Sequence, residues 1–163
     1  MKKILTLLLF IPLLTLSQSI NNKNQINWMD LSTAQTYAEK YNKNILIFFY
    51  KENCEFCDKM KNEALINKEV ISLMNNDFLP VRINGYTKDT IIFNNKIYGN
   101  QQPASSGRND WRHDFYYEIG RHQNGMITPT IVIFNNEYKE IKQLTGYFPT
   151  ARILRDLKKL IKK

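Results

Sequence analysis

The two cysteines of this chain, Cys54 and Cys57, lie three positions apart and follow the apolar run Ile45–Tyr50 after a short polar turn. An apolar run of that length, ended by polar residues, predicts a buried strand that leads into a helix beginning near Cys54. The unpaired N–H groups and the dipole at a helix N-terminus stabilise a thiolate. The spacing therefore predicts a redox pair with a nucleophilic first cysteine.

The first nineteen residues have the pattern of a secretory signal rather than of a folded element. Met1, Lys2 and Lys3 form a short basic start, and the apolar run Ile4–Leu16 that follows is too short to span a bilayer comfortably. We expect cleavage after Ser19, with cleavage after Ser17 or an uncleaved anchor as alternatives. Residues 20–163 are then the mature chain, predicted to form one domain without stable membrane insertion.

Export leaves other interpretations of the cysteine pair open, since disulfides persist outside the cytoplasm. A purely structural bridge is one, although closing so small a loop removes little entropy from the unfolded chain. Half of a zinc site is another, but His113 and His122 are the only histidines and fit no zinc-ligand spacing. We therefore expect no bound metal and no cofactor.

The net charge of +8 falls to +6 once Lys2 and Lys3 leave with the signal, so the mature chain is basic. It has no glycine-rich phosphate loop and no interleaving of basic and aromatic residues. A nucleic-acid partner is therefore not expected.

Hydrophobic periodicity predicts further elements on both sides of the cysteine pair. They are a first helix Trp28–Tyr41 capped by Asp30 or Ser32, a helix from Cys54, a short helix Lys68–Asn75, strands Phe78–Ile83, Thr130–Phe134 and Tyr138–Leu144, and a last helix after Gly146.

Residues 84–125 form an excursion of different composition between two predicted strands. We expect a small hairpin, Ile91–Phe93 with Lys96–Tyr98, then a polar loop, then a helix from Trp111 or His113 to Gln123. Aromatic residues at helical spacing are usually core, but Trp111 and Tyr116 are predicted to be exposed. Both histidines are predicted to be solvated helix residues.

This ordered set of elements resembles the thioredoxin-like superfamily over roughly residues 28–163. The marks are the Cys54-Glu55-Phe56-Cys57 motif after a buried strand, and Thr128-Pro129 opening a strand about seventy residues later. The resemblance implies an α/β fold with a central mixed sheet flanked by helices, and a cis peptide bond at Pro129. It also implies that Cys54 attacks, that Cys57 resolves, and that the backbone of Thr128 presents the substrate.

Three departures separate this chain from thioredoxin itself. Asn53 stands where thioredoxins have a tryptophan, Glu55-Phe56 replaces Gly-Pro, and Phe48 aligns with the buried acid that assists the resolving cysteine. The resemblance is closer to exported members of the superfamily.

Our first hypothesis is a periplasmic thiol-disulfide oxidoreductase acting on cysteine-containing protein substrates. We favour a reductase supplied by a membrane electron donor, because the chain lacks the large helical insertion of the family's dedicated oxidases. The alternative is a binding or folding-helper module whose cysteines are not catalytic, and a weaker one is metal carriage by the thiols.

Overall fold

The computed structural model describes residues 24–100, 111–123 and 125–161. A four-stranded sheet forms the centre, with the strand order β2-β1-β7-β8. Its strands are β1 (Asn44–Tyr50), β2 (Phe78–Asn84), β7 (Thr130–Phe134) and β8 (Glu140–Thr145). The predicted signal segment, residues 1–19, lies outside the described residues, so the domain boundary at residue 20 stays a prediction.

The sheet is mixed, because β1 pairs in parallel with β2 on one side and antiparallel with β7 on the other. The parallel pair requires a crossover, which the helices between β1 and β2 provide. β7 and β8 form an antiparallel hairpin. Five consecutive residues of β1, Ile45–Phe49, are buried, as the uninterrupted apolar run predicts.

Helices cover both faces of the sheet. They are α1 (Leu31–Tyr41), α2 (Glu55–Lys59) continued by a π-helical turn (Met60–Ala64), α3 (Lys68–Asp77), α4 (Asp114–Ile119) and α5 (Thr150–Ile161). Alternate residues of β1 face opposite sides, so Phe48 packs with the core under α3 and α5, whereas Phe49 packs with the core under α1 and α4. This arrangement confirms the predicted fold class.

The N-cap of α1 is Asp30, one of the two predicted candidates. Its carboxylate accepts hydrogen bonds from the backbone N–H of Thr33 and from the hydroxyls of Ser32 and Thr33. The helix begins at Leu31, three residues after the predicted start, because these bonds fix its first turn.

The excursion contains the predicted hairpin, β3 (Ile91–Phe93) with β4 (Lys96–Tyr98). Asn94 and Asn95 both have positive φ in its turn, a conformation that asparagine tolerates better than most residues. The helix predicted to reach Gln123 ends at Ile119 instead. The chain then enters a second small hairpin, β5 (Arg121–His122) with β6 (Gly125–Met126).

Within the three described ranges, no helix is both long enough and apolar enough to cross a membrane.

Candidate active site

The end of β1 delivers Cys54 to the start of a helix. The turn after the strand closes with Asn53 in the left-handed region, at φ 51°. Cys54 is the N-cap of α2, and its Sγ accepts a hydrogen bond from the backbone N–H of Cys57 at 3.2 Å. The predicted passage from a buried strand to a helix beginning at the first cysteine is confirmed.

The two cysteines form a disulfide, with their Cα atoms 5.2 Å apart. Their surroundings differ, because Cys54 keeps 5% of its surface exposed whereas Cys57 keeps none. Phe56 between them is 56% exposed. A partner arriving from solvent therefore meets Cys54 and the Phe56 ring, and does not reach Cys57.

The loop before β7 lies against this pair. The carbonyl oxygen of Thr128 is 3.8 Å from Sγ of Cys54, and the Thr128–Pro129 peptide bond is cis. Within the described residues, the backbone N–H of Thr128 has no hydrogen-bond partner. The structure thus brings Cys54, Cys57 and the Thr128–Pro129 turn together, and leaves one backbone donor of that turn available.

Tyr116, which was predicted to be exposed, is fully buried behind this loop, so that prediction was wrong. Its hydroxyl donates to the carbonyl of Ile127 at 2.8 Å and lies 3.1 Å from Oγ1 of Thr128. Burial raises the pKa of this phenol above its usual value. Tyr116 therefore supports the residues that precede the cis bond.

Two glycines leave room for the Tyr116 ring, and Phe49 packs against it. The ring stacks on Phe49 with centroids 4.6 Å apart. A Cβ atom added to Gly85 or to Gly120 would collide with the ring. Neither glycine has a positive φ, so the nearby ring, and not the backbone conformation, excludes a side chain at both positions. The signal available in the sequence is Gly120, because a glycine inside a predicted helix often has a packing reason.

His113 is also buried, contrary to the expectation of a solvated residue. Its Nδ1 accepts the backbone N–H of Phe115 at 3.1 Å and so caps α4. Because Nδ1 is an acceptor, Nε2 carries the proton and donates to the carbonyl of Asp89 at 2.9 Å. His113 is thus a structural link inside the excursion, whereas His122 is exposed.

Phe48 occupies the position where thioredoxins have a buried acid. It is 1% exposed, and its ring stacks with those of Trp28 and Tyr50 at 6.0 and 6.2 Å between centroids. This apolar stack contains no group that could accept a proton from Cys57.

The lysines nearest the pair in sequence lie over aromatic rings. Nζ of Lys59 is 4.8 Å from the ring centroid of Tyr147, and Nζ of Lys51 is 6.0 Å from that of Tyr86. Cation–π contacts of this kind hold both ammonium groups beside aromatic rings.

Within the described part of the chain, no group of three or more His, Cys, Asp or Glu side chains is placed to hold a metal ion.

The Cys54–Cys57 disulfide lies at the start of a helix that follows the central strand, and it faces the Thr128–Pro129 turn. This arrangement defines the class of protein: a thiol-disulfide oxidoreductase site on a thioredoxin-like fold. The chain belongs to the thioredoxin-like domain family, whose family model matches residues 31–161.

Comparison with known proteins agrees with this class. The mouse protein anterior gradient protein 3 is 30% identical over 66 residues, which cover 37% of this chain and 40% of that protein. The match therefore spans less than half of the relative's own length.

Two solved structures share the fold at low identity. The DsbH oxidoreductase is similar with a TM-score of 0.56 at 18% identity, covering 85% of each chain. A thioredoxin from Thermus thermophilus also gives a TM-score of 0.56, at 17% identity, covering 84% of this chain and 88% of its own.

Proposed function

We propose that this protein is an exported, periplasmic protein-disulfide reductase in which Cys54 is the nucleophile and Cys57 the resolving thiol. The observation that carries the two roles is the difference in accessibility: Cys54 keeps 5% of its surface and Cys57 none. Export and the reducing direction rest on the sequence alone. An attacking thiol must reach its substrate, whereas a resolving thiol needs only to reach its neighbour.

The reaction starts from the reduced pair. The Cys54 thiolate attacks one sulfur of a substrate disulfide, a bond forms between these two sulfurs, and the other substrate sulfur leaves as a thiolate. Cys57, deprotonated, then attacks Sγ of Cys54. The bond between Cys54 and the substrate breaks, the second substrate thiolate is released, and the disulfide of Cys54 and Cys57 forms.

Two electrons pass from the protein to the substrate in this cycle, so a dithiol donor must reduce the pair again. For an exported protein we propose a membrane electron donor that supplies them. Because Phe48 replaces the usual buried acid, deprotonation of Cys57 falls to water or to Glu52 or Glu55, which are exposed near the pair. Resolution is then slower than in thioredoxin.

The Thr128–Pro129 turn is proposed to present the substrate. An extended segment can donate to the Thr128 carbonyl, and its own carbonyl can accept the available Thr128 N–H, as in strand addition. Because that carbonyl oxygen lies 3.8 Å from Sγ of Cys54, a segment bound to it would lie beside the attacking atom.

Trapping tests the assigned roles. The Cys57→Ser variant, isolated from cells under alkylating conditions, should carry protein partners in reducible mixed disulfides, and Cys54→Ser should carry none. The purified mature domain should reduce insulin when a chemical dithiol is supplied. An exchange-inactive protein that also traps no partner would contradict the proposal.

The direction of electron flow and the cellular location of the protein need separate measurements. A resting pair that is mainly reduced in alkylated cells supports a reductase, whereas a fully oxidised pair supports an oxidase. Mature protein that begins at residue 20 and is released with the periplasmic fraction supports export. If the double Cys54→Ser, Cys57→Ser variant keeps partner binding and phenotype, the protein is a binding module instead.

A further inference from the structure

A groove opens beside the substrate-presenting turn, next to Ile127. It has a volume of about 270 Å³ and lies between the loop before β7, the end of β8 and the start of α5. We call it the Arg152 groove, and its lining residues are His122, Ile127, Gln143, Thr145, Phe148 and Arg152. Ile127, directly before Thr128, forms the shared wall between the groove and the substrate turn.

The Arg152 groove has a cationic lining without an acidic residue. The guanidinium of Arg152 lies 4.2 Å from the ring centroid of Phe148, which fixes its position. Among the described residues no carboxylate pairs with Arg152. In the same part of the chain, Oγ1 of Thr145 is buried without a hydrogen-bond partner. Arg152 is thus a lining cation without a carboxylate partner among the described residues, whereas the Thr145 hydroxyl is not accessible from the groove.

The segment around Cys54 has charges of both signs. Glu52 and Glu55 flank the cysteine in sequence and are both exposed, and Lys51 and Lys59 lie on the same segment. The Arg152 groove differs from it, because its lining is basic and contains no acidic residue.

We propose that the Arg152 groove binds an aspartate or glutamate side chain of the protein substrate, located next to its reacting cysteine. The proposal rests on the function proposed above. Side chains two positions apart on an extended segment point to the same face and are about 6.6 Å apart. The Thr128 carbonyl lies near Cys54 and Ile127 adjoins Thr128, so a side chain two positions from the bound cysteine on the Ile127 side would reach the groove.

The chemistry of the groove suits a carboxylate in particular. Arginine binds carboxylates through paired, charge-assisted hydrogen bonds. The apolar wall formed by Ile127 and Phe148 accommodates the methylene groups of the acidic side chain.

Two disulfide-linked peptides test the inference. They carry identical sequences except for Asp or Asn two positions from the cysteine, on each side in turn, and kcat/KM for their reduction is measured. We expect the Asp peptide to react about threefold to tenfold faster at one of the two placements. This ratio should fall towards one as salt is raised to about 1 M, because screening weakens the attraction.

Variants of α5 identify the residue responsible. Arg152→Gln should make the rates for the Asp and Asn peptides equal. Arg152→Lys should keep only part of the ratio, because lysine retains the charge but not the paired hydrogen bonds. Lys159→Gln is the matched control, because it removes the same charge from an exposed position about two turns further along α5 and should leave the ratio unchanged. Circular dichroism verifies that each variant is folded.

The outcomes separate this inference from the function itself. Equal rates for the Asp and Asn peptides, with exchange intact, would overturn the inference alone. No exchange with any peptide would overturn both. Oxidised glutathione that competes for Arg152 better than the Asp peptide would overturn a protein segment as the occupant of the groove.

Discussion

The hydroxyl of Tyr116 lies 3.1 Å from Oγ1 of Thr128, so a residue in the excursion supports the turn that faces the redox cysteine. The same hydroxyl donates to the Ile127 carbonyl, which also accepts from Oγ1 of Thr130. The position of the turn therefore depends on α4, the helix of the excursion.

Removing this hydroxyl tests that dependence. Tyr116→Phe should lower the free energy of unfolding by about 1 kcal/mol, since the Ile127 carbonyl keeps Thr130 as a donor. Disulfide exchange should slow several-fold, because Thr128 is held less firmly. Urea unfolding and insulin reduction measure the two effects. Tyr117→Phe, at a position that is 42% exposed, is the control and should change neither quantity.

Gly85→Ala places a methyl group 2.5 Å from Cδ1 of Tyr116. We expect a loss of about 1–3 kcal/mol in unfolding free energy, as is typical of overpacking in a filled core. A double-mutant cycle assigns the cause: in a Tyr116→Ala background the same change should cost much less. An equal cost in both backgrounds would show that the collision with the ring is not responsible.

Phe48 contributes stability where thioredoxins have an acid. Phe48→Ala should cost about 3–5 kcal/mol in unfolding free energy, because it removes a buried ring from contact with Trp28 and Tyr50. Phe56→Ala is matched in chemistry but sits at a site that is 56% exposed, and it should shift stability by no more than about 0.5 kcal/mol. Similar losses for both variants would argue against the buried stack.

The N-cap of α1 should give stability a specific dependence on acid pH. Hydrogen bonds from Thr33 and Ser32 hold the pKa of Asp30 well below its usual range. Because the folded pKa is depressed, the stabilisation is present above the unfolded value of about 3.9 and is lost as pH falls towards the folded value.

Asp30→Ala should therefore cost about 1 kcal/mol at pH 7, and the difference from the wild type should shrink below about pH 4. Denaturant unfolding at several pH values measures it. Glu137→Gln removes one exposed carboxylate elsewhere and should show no such trend. A constant difference between wild type and Asp30→Ala across the pH range would contradict the cap.

Local patterns predicted much of this fold because they are set by neighbouring residues. The apolar run of β1 and the Asn94–Asn95 turn each specify their structure within a few positions. Tyr116 and His113 are different, since whether an aromatic or a histidine is buried depends on what packs over it. Tyr116 packs against Phe49, and His113 hydrogen-bonds to Asp89; both partners are distant in sequence.

The candidate site likewise has features that the sequence predicts and features that depend on tertiary contacts. The cysteine spacing and the Thr128-Pro129 dipeptide are visible in the sequence, whereas the support from Tyr116 and the Arg152 groove arise only where separate elements meet. Helix α4 ends early for a similar reason: the strand pairing of Arg121 with Met126 competes successfully with further helical turns.

The backbone N–H of His113 donates to the carbonyl of Gly85 at 2.7 Å, so the two ends of the segment 85–113, the larger part of the excursion, are in contact. The hairpin of β3 and β4 lies between these ends, and its residues Phe93 and Tyr98 are buried in the core under α1 and α4. Sequence changes that keep this hydrogen bond and these two rings should therefore leave the sheet and the redox pair in place. The exposed positions of the hairpin, Ile92 and Ile97, are free to vary among related chains without changing the chemistry at the cysteines.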